Sequence, residues 1–153
     1  MIKFKTLSFL FLGLILFSCT PKKEQALVNN PADTIKLTSD ILTPEVLWSF
    51  GRVGGVEVSP DQKTVLFGVS FYNIEQNRGN REIFIMPAEG GEAVNITKTE
   101  AGEYSATWRP DGKKIGFLST ESGSLQLWEM NPDGTNRIQI SDIEGGINGF
   151  KYS

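Results

Sequence analysis

One turn motif occurs twice in this chain, in matching surroundings. Val58-Ser59-Pro60-Asp61-Gln62-Lys63 aligns with Trp108-Arg109-Pro110-Asp111-Gly112-Lys113 at a spacing of 50 (Pro60 to Pro110). Met86 and Ile96 align with Met130 and Ile140 at a spacing of 44. A chain that repeats at such a period is built from supersecondary units that bury their apolar faces against one another. The drop from 50 to 44 puts six extra residues inside the first unit, and the polar stretch 73–81 (NIEQNRGNR) accommodates them.

Each unit reads as four strands. In the second they fall at residues 105–108, 114–118, 125–130 and 137–140. Pro110-Asp111-Gly112 and Pro132-Asp133-Gly134 have the composition of tight turns: proline presets φ, Asp bonds back to its own backbone, and Gly accepts positive φ. Residues 121–124 (ESGS) make the middle turn. Ile138 and Ile140 alternate on one face, as do Val94 and Ile96, the pattern of half-buried strands. Four antiparallel strands every 40–50 residues or so is the period of a β-propeller blade. A small sandwich or open meander of about eight strands is the alternative; sandwiches seldom repeat a turn at a fixed offset. The expected fold is therefore all-β, a partial propeller: blade 1 at 53–97, blade 2 at 103–141, and at 147–153 the first strand of a third. Tyr152-Ser153 falls where Val58-Ser59 and Trp108-Arg109 precede their Pro-Asp. Closed propellers have about four blades or more, so the sequence is expected to be the N-terminal part of a longer protein.

Before the repeat, Lys3 and Lys5 precede an apolar run at 7–17 that is too short to span a bilayer and suits a signal-peptide core. Leu16-Phe17-Ser18-Cys19 resembles the bacterial lipobox, whose cysteine is diacylated and becomes the new N-terminus. Residues 1–18 are thus expected to be a lipoprotein signal peptide and Cys19 the lipidation site, placing the chain in the bacterial cell envelope. Loss of Lys3 and Lys5 makes the net charge of −3 two units more negative, so the acyl chains, not charge, must supply membrane affinity. Residues 19–40 are polar, carry Pro21 and Pro31, and read as a flexible tether. Domain 41–153 then opens with a short helix. Thr43 caps it, Pro44 suits its first position, Glu45 complements its dipole, Leu42 and Leu47 form a staple, and Gly51 stops it. Residues 44–50 are expected to present Val46, Leu47 and Phe50 to a larger body.

The chain has no histidine and a single cysteine. This excludes His-based catalysis within it, His-ligated metal, an internal disulfide and a Cys-cluster zinc site; no metal or cofactor is expected. Its negative charge argues against nucleic acid as a partner. Asp61, Asp111 and Asp133 recur, and turn chemistry accounts for all three. Trp48, Trp108 and Trp128 read as packing between units. Residues 73–81, with Arg78 and Arg81, read as a solvated insertion ahead of a lid over the ring. Asn95-Ile96-Thr97 matches a glycosylation sequon that a bacterial lipoprotein would not normally use.

The repeat resembles those shared by TolB and by the prolyl oligopeptidase family of serine peptidases. Leu42-Thr43-Pro44-Glu45, Phe50-Gly51-Arg52-Val53 and Ser59-Pro60-Asp61 resemble that family's pre-propeller helix and first strand. Asn80-Arg81-Glu82-Ile83-Phe84, Glu103-Tyr104-Ser105-Ala106-Thr107-Trp108, Gly123-Ser124-Leu125-Gln126-Leu127-Trp128 and Glu144-Gly145-Gly146-Ile147-Asn148-Gly149-Phe150 resemble its secreted dipeptidyl-peptidase V and acylaminoacyl-peptidase-like branch. Gly54-Gly55 and Gln62 depart slightly from the usual pattern. The resemblance implies a ring that admits short peptides to an α/β-hydrolase domain with a Ser-His-Asp triad on a G-x-S-x-G turn. Neither that turn nor a histidine is in this chain, so no residue here is catalytic. Related exopeptidases pair propeller carboxylates with the substrate amino terminus, which draws attention to Glu82, Glu103 and Glu121, though nothing in the sequence aims them at the ring axis. The function implied is the propeller portion of a lipid-anchored serine exopeptidase. The alternative is a non-enzymatic, TolB-like binding propeller of the envelope.

Overall fold

The computed structural model describes residues 40–153. The signal peptide read at 1–18, Cys19 and the tether up to residue 39 lie outside the described residues. The rest is all-β apart from one helix, α1 (Pro44–Ser49). Strands β1 (Arg52–Val58), β2 (Thr64–Asn73), β3 (Arg78–Pro87) and β4 (Val94–Asn95) form one antiparallel sheet. Strands β5 (Glu103–Trp108), β6 (Ile115–Ser119), β7 (Gln126–Met130) and β8 (Ile138–Gln139) form the second. Each sheet is ordered as its strands occur in the chain.

The recurring corners have one construction. In the first, Gln62 N donates to Ser59 O (2.8 Å) and Ser59 N to Thr64 O (2.8 Å). In the second, Gly112 N donates to Arg109 O (2.8 Å) and Arg109 N to Lys114 O (2.9 Å). Each aspartate accepts from the backbone two residues on: Asp61 from Lys63 N at 3.2 Å, Asp111 from Lys113 N at 2.9 Å, Asp133 from Thr135 N at 3.0 Å. The fourth corner position is left-handed in both units, with φ 69° at Gly112 and 62° at Gln62. A second matched pair lies in the first strands. Register shifts between Gly54 and Glu57, and between Tyr104 and Thr107, mark bulges. Gly55 (φ 62°) and Ser105 (φ 52°) stand at the equivalent left-handed position. Each unit thus has glycine where the other strains a residue with a Cβ. Gln62→Gly and Ser105→Gly are each expected to raise stability by about 0.5–1 kcal/mol in thermal melts.

The core lies between the sheets. Leu66 and Ile83 of the first meet Trp108, Ile115, Phe117 and Met130 of the second, with Ile85, Ile96, Ala106 and Trp128 alongside. β5 therefore lays Ala106 and Trp108 onto the first sheet. Residues 147–153 form no strand, yet they approach the second sheet in the corresponding way. Phe150 and Tyr152 pack edge to face (5.6 Å) over Gly116, and Tyr152 Oη donates to Glu129 Oε1 (2.7 Å). Phe150 and Tyr152 stand one spacing of 44 beyond Ala106 and Trp108.

One local expectation is refined and one corrected. The extra residues of the first unit are solvated, 74–79 all being exposed, and they are also paired. They lengthen β2 and β3 to ten residues each, against five in β6 and β7, adding the pairs Ser70↔Arg81, Phe71↔Asn80, Tyr72↔Gly79 and Asn73↔Arg78. The adjacent aromatics Phe71 and Tyr72, both of high strand propensity, carry the strand on. The helix is capped as expected, Thr43 Oγ1 accepting from Val46 N (3.4 Å). It ends at Ser49 because Phe50 is extended (ψ 132°), not because Gly51 turns left-handed. It buries no residue. Trp48, not Leu47 or Phe50, ties it down, edge-on to Tyr72 at 5.3 Å.

Candidate functional site

The internal repeat lets each polar residue be compared with its own counterpart. One row of the first sheet runs Val53–Val69–Glu82–Thr97; the matching row of the second runs Glu103–Ser119–Gln126–Ser141. Glu82 is 1% exposed. Its Oε2 accepts from Thr97 Oγ1 (2.5 Å), its Oε1 from Asn80 Nδ2 (2.8 Å), and Thr97 Oγ1 also accepts from Ile83 N (3.0 Å). Gln126 repeats the arrangement: Oε1 accepts from Ser141 Oγ (2.7 Å), Nε2 donates to Ser124 Oγ (2.9 Å), and Ser141 Oγ accepts from Leu127 N (2.9 Å). Glu82 and Gln126 do the same work, which is to fasten the fourth strand's exit to the third strand. Glu82→Gln is accordingly expected to change stability by less than about 0.5 kcal/mol, read from a urea melt.

Glu103 breaks the repeat. Its counterparts are Val53 and Ile147, and Arg137 stands where the first unit has Ala93. Glu103 is 0% exposed. Arg137 Nη2 donates to its Oε1 (2.8 Å) and to Ser119 Oγ (3.3 Å), while Arg137 Nε donates to Glu121 Oε2 (2.6 Å). The guanidinium lies 4.6 Å over the Phe117 ring. Burial pushes the Glu103 carboxyl up to about 7, against the opposing pull of Thr99 and Arg137; the charge of Glu82 adds to the rise. Thr99 Oγ1 lies 2.5 Å from Glu103 Oε1 and 2.7 Å from Ala101 O, two acceptors that its one proton serves in turn. Glu103 Oε2 and Arg137 Nη1 are buried without partners.

The structure thus draws Glu82, Glu103 and Glu121 towards the connection between the sheets, but none is presented as a free carboxylate. Glu82 is spent on Thr97 and Asn80; Glu103 and Glu121 are spent on Arg137. Chemically the cluster is a titratable joint between units. Arg137 was not singled out in the sequence, although the exchange of Ala93 for Arg137 beside the exchange of Val53 for Glu103 carried the signal.

The remaining candidates are structural. Hydrogen bonds hold the Asp61, Asp111 and Asp133 carboxyls below the usual range, chiefly those from Ser59, Arg109 and Thr135. Among the described residues no group of three or more His, Cys, Asp or Glu could hold a metal ion. Trp108 is in the inter-sheet core, Trp128 beside it, and Trp48 on the helix. Asn95 of the sequon is a connector, its Oδ1 accepting from Thr97 N (3.0 Å) and Lys98 N (3.2 Å).

No family model matches the chain. Over 116 residues, 76% of its length, it is 47% identical to dipeptidyl-peptidase 5 of Porphyromonas gingivalis. It is a homologue of dipeptidyl-peptidase 5. The Porphyromonas endodontalis enzyme of the same name is 36% identical over 115 residues, or 75% of the chain. In both cases the chain spans only 17% of the relative's length. Among solved structures, the AtxE2 isopeptidase matches with a TM-score of 0.61 at 16% identity, over 71% of this chain and 21% of that one. The Pyrococcus horikoshii acylaminoacyl peptidase matches at 0.51 and 21%, over 62% and 14%. At these identities the likeness is one of fold, and it assigns the two sheets to the blades of a β-propeller.

Proposed function

We propose that this chain is the N-terminal propeller portion of a lipid-anchored serine exopeptidase that hydrolyses short peptides, with the propeller gating access to an α/β-hydrolase domain encoded outside it. One observation carries the reading: 47% identity to dipeptidyl-peptidase 5 across 76% of the chain, in a protein of which the chain spans 17%. The geometry is compatible with it. The described carboxylates fasten blades and turns, and a chain without histidine cannot assemble a Ser-His-Asp triad. Catalysis would belong to sequence beyond Ser153, and the blades would filter what reaches it. Sequencing the gene past Ser153 tests this. A G-x-S-x-G elbow followed by Asp and His, with dipeptide release abolished by Ser→Ala, is expected. A stop codon after further blades, with no elbow, would replace the peptidase reading with the binding-propeller one.

Anchoring is proposed through Cys19, on the strength of the lipobox-like Leu16-Phe17-Ser18-Cys19; that places the protein in the bacterial envelope. Cys19→Ala is expected to move it from the detergent-extracted membrane fraction to the soluble fraction, since stable anchoring takes more than one acyl chain. Unchanged partition would end the lipoprotein reading.

A further inference from the structure

The pairs that lengthen β2 and β3 carry side chains the second sheet lacks. Register places Arg52, Ser70 and Arg81 directly opposite one another across β1, β2 and β3, and so on one face. Their counterparts are Gly102, Thr120 and Leu125. The Arg81 guanidinium lies on a floor of glycine. A Cβ on Gly68 would meet its Cζ at 2.6 Å, and one on Gly55 its Nη2 at 3.3 Å. Nη2 donates to Gly54 O (3.0 Å) and Nη1 to Ser70 Oγ (3.2 Å), which leaves the Ser70 hydroxyl proton free to donate. Arg52 is held between two rings, 4.6 Å from Trp48 and 4.5 Å from Tyr72, and its Nη1 is buried with no partner.

Neither guanidinium has a carboxylate within ion-pair distance; the ion pairs among the described residues all involve Arg109 or Arg137. Two half-buried cations on one sheet face, in a chain of net charge −3, lack the counter-charge that burial calls for. Arginine is the residue whose planar fork suits a carboxylate. We propose that Arg52, Ser70 and Arg81 form a carboxylate-binding site on the first blade. Its ligand is the free C-terminal carboxylate or an acidic side chain of a peptide. Trp48 and Tyr72 hold Arg52 in place, and the glycine floor holds Arg81.

The peptide as ligand class rests on the proposed peptidase reading, but the binding does not require catalysis. A gene without a serine elbow would leave this site standing, and an inert site would leave the elbow untouched. The test is calorimetric titration of the full chain, with tryptophan emission, to which Trp48 contributes beside Trp108 and Trp128, as a second readout. The probes are trialanine, trialanine amide, and Ala-Asp-Ala amide. Binding of trialanine or of the aspartyl amide, but not of trialanine amide, is expected, and the responder identifies the carboxylate's source. Arg81→Met and Arg52→Met should each weaken binding at least tenfold in chains that still melt cooperatively, and added NaCl should weaken it further. Arg81→Lys, which keeps the charge and loses the fork, covers the case in which Arg81→Met does not fold; it too should weaken binding severalfold. Equal binding of all three probes, no binding of either carboxylate, or full affinity in both Arg81 variants overturns the proposal.

Discussion

Arg137→Met is expected to lower stability by about 3 kcal/mol at pH 8 and by less than about 1 kcal/mol at pH 4.5. At the higher pH the variant must either bury the Glu103 charge with no cation or hold that carboxyl protonated against the solution, and both cost stability. At the lower pH the carboxyl is neutral and loses only a hydrogen bond. The wild-type chain should show the same titration in its own stability. The folded Glu103 pKa, about 7, lies above the unfolded value near 4.5. Between these values the folded state holds the proton that the unfolded state has released. Stability is therefore full below pH 4.5, falls as pH rises, and loses up to about 3 kcal/mol by pH 7. Glu103→Val with Arg137→Met, which copies the Val53 and Ala93 side of the repeat in apolar character, should flatten that profile and restore stability at pH 8. Chemical denaturation at several pH values measures all three chains.

Trp108→Ala should cost about 3–5 kcal/mol and uncouple the two sheets. The indole is 6% exposed and packs in the cluster with Leu66, Ile83, Ile115, Phe117 and Met130, so its loss opens a cavity where the sheets meet. The expected signature is more than a lower midpoint: amide exchange at Leu66 and at Phe117, expected to report one unfolding event in the wild type, should separate into two. Tyr152→Ala, at the corresponding place one unit on, should cost less, because Tyr152 is only half-buried and the segment that carries it forms no strand.

Much of this was legible from residue order alone. The corners at Pro60 and Pro110 fixed the unit, because a proline, an aspartate and a left-handed position are required together wherever that turn is made. The four strands of the second unit follow within a residue or two. What alternation could not show was the burial of Glu103. Counting by twos from Trp108 passes Ala106 and Tyr104 and leaves Glu103 on the opposite face. The bulge at Ser105 inserts one residue and turns Glu103 inward, opposite Ser119. The stretch at 73–81 reads as solvated and is so, but its strand pairing was not legible, because a polar strand that extends beyond the matched rows needs no apolar face. The roles of Arg81 and Arg137 depend on neighbours distant in sequence, Gly54 and Gly68 in one case, Glu103 and Phe117 in the other, which pattern reading does not bring together.

The account rests on residue-by-residue equivalence of the two sheets, and cross-strand backbone NOEs measure that equivalence in solution. It predicts matching contacts for Val53–Val69–Glu82–Thr97 and for Glu103–Ser119–Gln126–Ser141, with the break in register at Gly55 in one sheet and Ser105 in the other. Contacts that pair either sheet in a shifted register, or a bulge in only one of them, would contradict it.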